Sequence, residues 1–591
     1  MSTQSSTVLP MSGLPPRFHL IAVVVGLATA VASTWPVAAH LRDHVIDGAR
    51  LTHTADPESW GASNLGADVL LTVWIVSWNL HALVTQPFHL FDANIFYPTP
   101  RSLARSEHLF ATSVLGAPGM LFGGPVVAHQ TALLLTCVLT VWATAYVITR
   151  WSGSLVGGLT AGVLFALCPF RQNQLYHLQS LGTAYFPLML FGLGEFAATG
   201  AWRWAVFGST ALALEVLSGQ YLAFFALIAW FFAGVVAVIV GRATNRPLRR
   251  MARDASRLAG TTAVAILATL PFVIPYVRLL ALGELPDNTQ NVWITAGSVR
   301  SASHWMAWGT ASHTAIAAPT WALALIGVVS LLRRTWRDRL HVMMLMVVAL
   351  VGVFLAAGPG HLYLYDACVR FLPGFRVVRE PWRAAVLLHL AVAMLAGCGV
   401  AVLAWDRVRV RGGLAALGAV AFSVAMSWRA PVPLAALPVG PALPAVYRFL
   451  ARCGEGDPLL ELPAFGPTES WRETERQLLG TFHWLPLLNG RTGYPPPSYA
   501  EITALAARVP DADAIASLRA RTGLRWVLVH CAGRRQHFPQ LQQLCPAHFR
   551  LGLSSRSFGD ARLYDLGRSA VLPAARTRRW NAPPGCQTHG R

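Results

Sequence analysis

The chain has 591 residues, 54% of them hydrophobic and 13% charged, with a formal net charge of +20. A water-soluble chain of this length would need several charged domain surfaces, and this composition does not supply them. Lysine is absent, so all 47 basic side chains are arginine. Many of these arginines sit in short connectors between apolar runs. Membrane topology explains them there, and nucleic acid is not an expected partner.

In chain order, a polar N-terminal segment, 1–17, precedes a first apolar run long enough to remain as an anchor, so no cleaved signal is expected. Apolar runs then fall at 18–40, 126–149, 154–169, 181–199, 203–217, 219–241, 258–282, 315–332, 340–358, 384–405 and 412–428. Each approaches the roughly 20 residues that cross a bilayer. A twelfth stretch, His108–Leu121, is too short for a comfortable span and reads as interfacial or re-entrant. Arginine parity supports leaving it out. With eleven spans, the connectors carrying Arg150, Arg203, Arg242–Arg257, Arg333–Arg339 and Arg407–Arg411 all share one face with the N-terminus. The positive-inside rule makes that face cytoplasmic.

The expected architecture is therefore a polytopic α-helical membrane protein of about eleven transmembrane helices, with a transmembrane domain over 18–428. Segments 41–125, 283–314 and 359–383 are placed outside, as is a soluble C-terminal domain over 429–591. The expected location is a bacterial inner membrane, with a cytoplasmic N-terminus and a periplasmic C-terminal domain. In that domain Pro458–Pro463, Arg525–His530 and Arg562–Leu566 read as strands. Pro444–Cys453, Tyr499–Val509 and Ala512–Thr522 read as helices, giving a small α/β fold. An oxidising location would allow a Cys531–Cys545 disulfide.

Ionisable residues inside the runs are few. Glu215 precedes a tight turn, Ser218–Gly219–Gln220–Tyr221, to which its carboxyl is expected to hydrogen-bond; His129 and His389 are expected to hydrogen-bond between packed helices. The first external segment is richer. It carries Asp68, then Trp74, Trp78 and His81, then Phe91-Asp92-Ala93-Asn94-Ile95-Phe96-Tyr97-Pro98, and ends at Ser106-Glu107-His108. A loop of this length without low-complexity sequence points to function. Acids beside apolar helices are where a carboxylate can act as a base.

These features resemble the GT-C superfamily of membrane glycosyltransferases, which includes protein O-mannosyltransferases and the lipid A aminoarabinose transferase. Asp68 and Glu107 match, in order and topology, the two acidic positions of that superfamily's first external loop. A closer likeness is to bacterial membrane proteins described as glycosyltransferase-like or of unknown function. It rests on the progression from Asp68 to Leu109, on Tyr176-His177-Leu178-Gln179, and on Arg379-Glu380-Pro381-Trp382-Arg383. In the tail it rests on Glu461-Leu462-Pro463 and on His483-Trp484 leading to Asn489-Gly490.

The resemblance implies transfer of a sugar from a polyprenyl-phosphate donor to a glycan, lipid or protein hydroxyl on the external face. It gives Asp68 the role of general base, and Glu107 that of positioning acceptor or donor. Arg376, Arg379 and Arg383 would clamp the phosphate, a task that suits guanidinium. Arg171, His177 and His108 on neighbouring segments are further substrate-binding candidates. Many GT-C members carry paired acids at the first position, whereas Asp68 stands between Ala67 and Val69; no metal or other cofactor is expected there. Plainer readings stand beside these. Asp68 can cap a helix beginning at Val69, Glu107 can be a solvated first-turn acid, the boundary arginines can meet lipid headgroups, and 483–494 can pack the tail onto the membrane part. A flippase of lipid-linked saccharides and a non-catalytic envelope scaffold are the alternative functions.

Overall fold

The structure is a computed structural model that describes residues 14–52, 60–240, 248–289, 305–307, 314–403, 410–531, 538–546, 549, 551–552 and 554–568. Arg242, Arg246, Arg407 and Arg409 of the parity argument, and most of 283–314, lie outside the described residues. Every one of the eleven apolar runs forms a helix. With one additional helix, α2, these are α1 Phe18–Ser33, α2 Trp60–Thr85, α3 Pro125–Ser152, α4 Leu155–Ala166, α5 Tyr185–Thr199, α6 Trp202–Val216, α7 Gln220–Val240, α8 Leu248–Ala281, α9 Ala318–Leu332, α10 Trp336–Ala356, α11 Ala385–Leu403 and α12 Val410–Ser427. His108–Leu121 is broken into two short helices, Phe110–Leu115 and Ala117–Gly123, neither of which can span.

Among the described residues, eight helices are long and apolar enough to cross a membrane, and one of them is Gly66–Thr85 within α2. Helix α2 packs on both sides: Leu71, Trp74 and Trp78 share a hydrophobic core with Tyr447, Leu479, Trp526 and Leu528 of the C-terminal domain, and Val69, Val73 and Val76 share another with Val126, Ala132 and Leu133 of α3.

The bundle is held by close helix crossings at small residues, as expected where lipid removes any hydrophobic drive between helices. The central helix α11 is buried over almost its whole length. A Cβ on Gly157 of α4 would stand 2.6 Å from the Gly397 carbonyl of α11. A Cβ on Gly327 of α9 would stand 2.1 Å from the Leu395 carbonyl of the same helix. By contrast α8, with Pro271 and Pro275 inside it, presents most of its surface outward.

Two short strands tie the ends of the bundle together. β1, His44–Ile46, follows α1 and pairs antiparallel with β2, Leu434–Ala436, which follows α12. The C-terminal domain is a four-stranded sheet of β3 Leu459–Leu462, β4 Trp526–His530, β5 Ser554–Phe558 and β6 Ala561–Asp565, ordered β3-β4-β6-β5. β3 and β4 are parallel and the other pairs antiparallel. The three expected strands and three expected helices of this domain are present, and β5 is an addition. The Cys531–Cys545 disulfide is formed.

Candidate active site

Four segments distant in sequence meet where α2, the turn after α4, the entry to α11 and the C-terminal domain converge. Asp68 stands in the third turn of α2, because the helix begins at Trp60 and not at Val69. It is therefore no N-cap, and its carboxylate is available to side chains. Its Oδ2 lies 3.2 Å from His177 Nε2 and its Oδ1 lies 3.6 Å from the Arg491 guanidinium. About a quarter of the Asp68 side chain remains exposed, enough for a ligand hydroxyl to approach.

His177 is placed by the short helix Pro169–Asn173 and the turn that follows it. Its Nδ1 lies 3.0 Å from Gln174 Oε1 and 3.4 Å from Arg383 Nη2. Burial first, and the nearby Arg383 charge with it, hold this imidazole below its ordinary pKa range. The Asp68 carboxylate only accepts, so Nε2–H donates to it.

Arg383 is buried, ion-paired with Glu380 and set 5.1 Å over the Tyr221 ring. The Arg379 backbone N–H donates to the Tyr221 hydroxyl at 3.2 Å. Its side chain is exposed and lies within electrostatic reach of Asp68, Arg491 and Tyr221. Arg491 thus contacts the acid, Arg379 lies within its electrostatic reach, and Arg383 contacts His177 on its other ring nitrogen.

Glu107 joins the same neighbourhood from another side. Its carboxylate accepts the backbone N–H of Gln220, at the start of α7, where a negative group meets the positive end of the helix. It is not the solvated first-turn acid considered above. It is Glu107 that binds the Ser218–Tyr221 turn from outside, while Glu215 is fully buried in α6. Burial raises the Glu107 pKa to about 7, with Arg383 among the groups opposing that rise.

The other candidates are placed elsewhere. His108 is buried among Phe91, Phe272 and Tyr276, its Nδ1 accepting from the Phe110 N–H at 3.2 Å. Burial lowers its pKa to about 4, so it is a neutral packing histidine. Arg171 is buried, donating to the Leu181 carbonyl at 2.6 Å and to Thr183 Oγ1 at 2.5 Å. Arg376 is exposed and paired with Asp287 at 2.9 Å. His129 meets Thr72 at 3.0 Å as expected. His389 instead faces a cavity lined by Thr320, Ser423 and Ser427, and its Nε2 has no hydrogen-bond partner among the described residues.

The segment 483–494 seats the C-terminal domain on α2 and the first loop. Trp484 stacks on His81 with centroids 4.1 Å apart, Asn94 donates to the Leu485 carbonyl at 3.2 Å, and the Tyr494 hydroxyl donates to the Ala104 carbonyl at 3.1 Å. The same segment delivers Arg491. Within 483–494 nothing in the sequence singles out Arg491, and neither Gln174 nor Tyr221 stands out as a site residue. An isolated arginine in a chain with 46 others carries no local signal.

The fold defines a polytopic α-helical membrane protein with a small α/β C-terminal domain. No family model matches the sequence, and no curated protein matches it. Among solved structures the chain is similar to ArnT from Cupriavidus metallidurans bound to undecaprenyl phosphate. The sequences are 13% identical, 94% of this chain and 98% of that one are covered, and the TM-score is 0.47.

Proposed function

We propose that the protein is a GT-C-type membrane glycosyltransferase that moves a sugar from a polyprenyl-phosphate donor to a hydroxyl acceptor. The observation that carries this reading is the Asp68 carboxylate, in contact with His177 and Arg491 and within electrostatic reach of Arg379. Asp68 takes the proton of the acceptor hydroxyl as the acceptor oxygen bonds to the anomeric carbon. The bond from that carbon to the donor phosphate breaks, and the phosphate leaves as polyprenyl phosphate. Arg379, with Arg491 beside it, meets the phosphate charge, and Arg383 supports His177. Glu107, titrating near neutrality, positions the donor or acceptor beside Arg383.

The face is the one that carries the first loop and the C-terminal domain, read as external. A tail disulfide suits an oxidising, periplasmic location. The direct test is native mass spectrometry of the detergent-purified chain with added undecaprenyl phosphate. Retention of one lipid by the wild type, weakened at least tenfold in Arg379→Ala, supports the clamp. Equal retention by both would remove Arg379 from it.

A further inference from the structure

A second group of ligating side chains lies away from Asp68, in the connector between α1 and β1. His40, Asp43 and His44 each offer a potential ligand atom, and all three atoms lie within 4.8 Å of one another. The His40 and His44 rings have centroids 4.6 Å apart, and His44 Nδ1 lies 2.7 Å from Asp43 Oδ1.

The backbone beneath these side chains is fixed from several directions. The Asp43 carbonyl accepts from the Leu437 N–H at 2.7 Å, and the Asp47 N–H donates to the Pro433 carbonyl at 2.8 Å. His44 pairs with Ala436 across the β1–β2 ladder, and its carbonyl accepts from Gln130 Nε2 at 2.6 Å. The His40 N–H closes a turn onto the Val37 carbonyl at 3.0 Å. The ligands therefore come from one short segment whose path is set by α3 and by the strand leading into the C-terminal domain.

We propose that His40, Asp43 and His44 bind a divalent transition metal of the zinc class. Two imidazole nitrogens and one carboxylate oxygen are a ligand set for Zn²⁺, Co²⁺ or Ni²⁺, and too few oxygens for Ca²⁺ or Mg²⁺. Ligand bonds of about 2.0–2.2 Å require the Asp43 and His44 atoms to part slightly and the His40 nitrogen to turn toward them. The metal takes the Nδ1 lone pair of His44, whose ring proton then sits on Nε2. The fourth position is left to water. Because β1 joins β2 at the root of the C-terminal domain, the bound ion stiffens the strap between the helical bundle and that domain. Val45 and Ile46, next to the ligands, pack in one core with Val69 and Val73 of the helix that carries Asp68.

The test uses the full chain in detergent, with any affinity tag removed, loaded with Zn²⁺ alone and desalted. The wild type is expected to retain one zinc per chain more than His40→Ala, and its thermal midpoint is expected to rise on zinc addition where that of the variant does not. Asp43→Asn, which keeps the fold contacts of the backbone, is expected to weaken zinc binding at least tenfold. Loading with Co²⁺ should give visible bands of a low-coordinate nitrogen–oxygen site in the wild type and not in His40→Ala. Equal zinc content and equal thermal shifts in wild type and both variants would overturn the site.

Discussion

Arg491 of the C-terminal domain lies 3.6 Å from the carboxylate of Asp68 on α2, so the candidate site is complete only when the domain is docked. Both side chains are largely enclosed, the pair standing between an exposed ion pair and a buried one. Replacing Arg491 by Ala is expected to cost about 1–2 kcal/mol of stability, below the cost of breaking a fully buried pair. Arg491→Lys should restore part of the stability and less of the lipid binding, since ammonium lacks the fork geometry. Thermal unfolding and undecaprenyl-phosphate retention, measured on the same preparations, check this split.

His177 acts on Asp68 through one N–H. His177→Gln keeps a side-chain donor and His177→Leu does not. The expectation is that Leu reduces transfer by about 10²-fold while Gln reduces it less, with folding retained in both. Circular dichroism and size-exclusion profiles establish the folding, and transfer rates establish the order.

Glu107 carries a pH signature. Its ordinary pKa of 4.5 is raised to about 7 by burial, so between those values the folded chain holds a proton that the unfolded chain has released. The resulting stability is fully present below about pH 4.5 and is lost as pH rises through about 7. Glu107→Gln keeps an oxygen for the Gln220 N–H and no longer titrates. Its thermal midpoint is expected to change less across pH 4.5–7.5 than that of the wild type.

Docking of the C-terminal domain rests on half-buried Trp484, which stacks on His81 and meets Trp78. Trp484→Ala is expected to cost about 2–3 kcal/mol, less than truncation of a fully buried Trp. The loss should appear as faster proteolysis near the 429–440 segment.

Much of this architecture was legible in the sequence because its signals are local. Eleven apolar runs became helices, the runs 154–169 and 181–199 framed the His177 turn, and the patterns in 525–530 and 562–566 marked strands. Asp68, Glu107, His177, Arg379 and Arg383 were all singled out, and the structure gathers them. The remainder was hidden because it depends on distant pairing. The three-residue strands β1 and β2 carry no recognisable period, and each exists because of the other. The full extent of α2 was missed because its first turns, from Trp60 to Gly66, are polar and glycine-bearing, so helix initiation seemed to fall at Asp68. Arg171 was read as facing a ligand, but its guanidinium is used by the Leu181 carbonyl and Thr183, partners that no spacing rule connects to it.

The central claim is that Asp68 is the base of a sugar transfer, and a transfer assay tests it most directly. Membranes containing wild type or Asp68→Asn are supplied with radiolabelled polyprenyl-phosphate sugars, and label entering glycan, lipid and protein fractions is counted. The account predicts transfer by the wild type and a loss of at least about 10²-fold in Asp68→Asn, with expression and folding retained and a thermal midpoint lowered no more than in Arg491→Ala. Wild-type transfer rates in Asp68→Asn would contradict it.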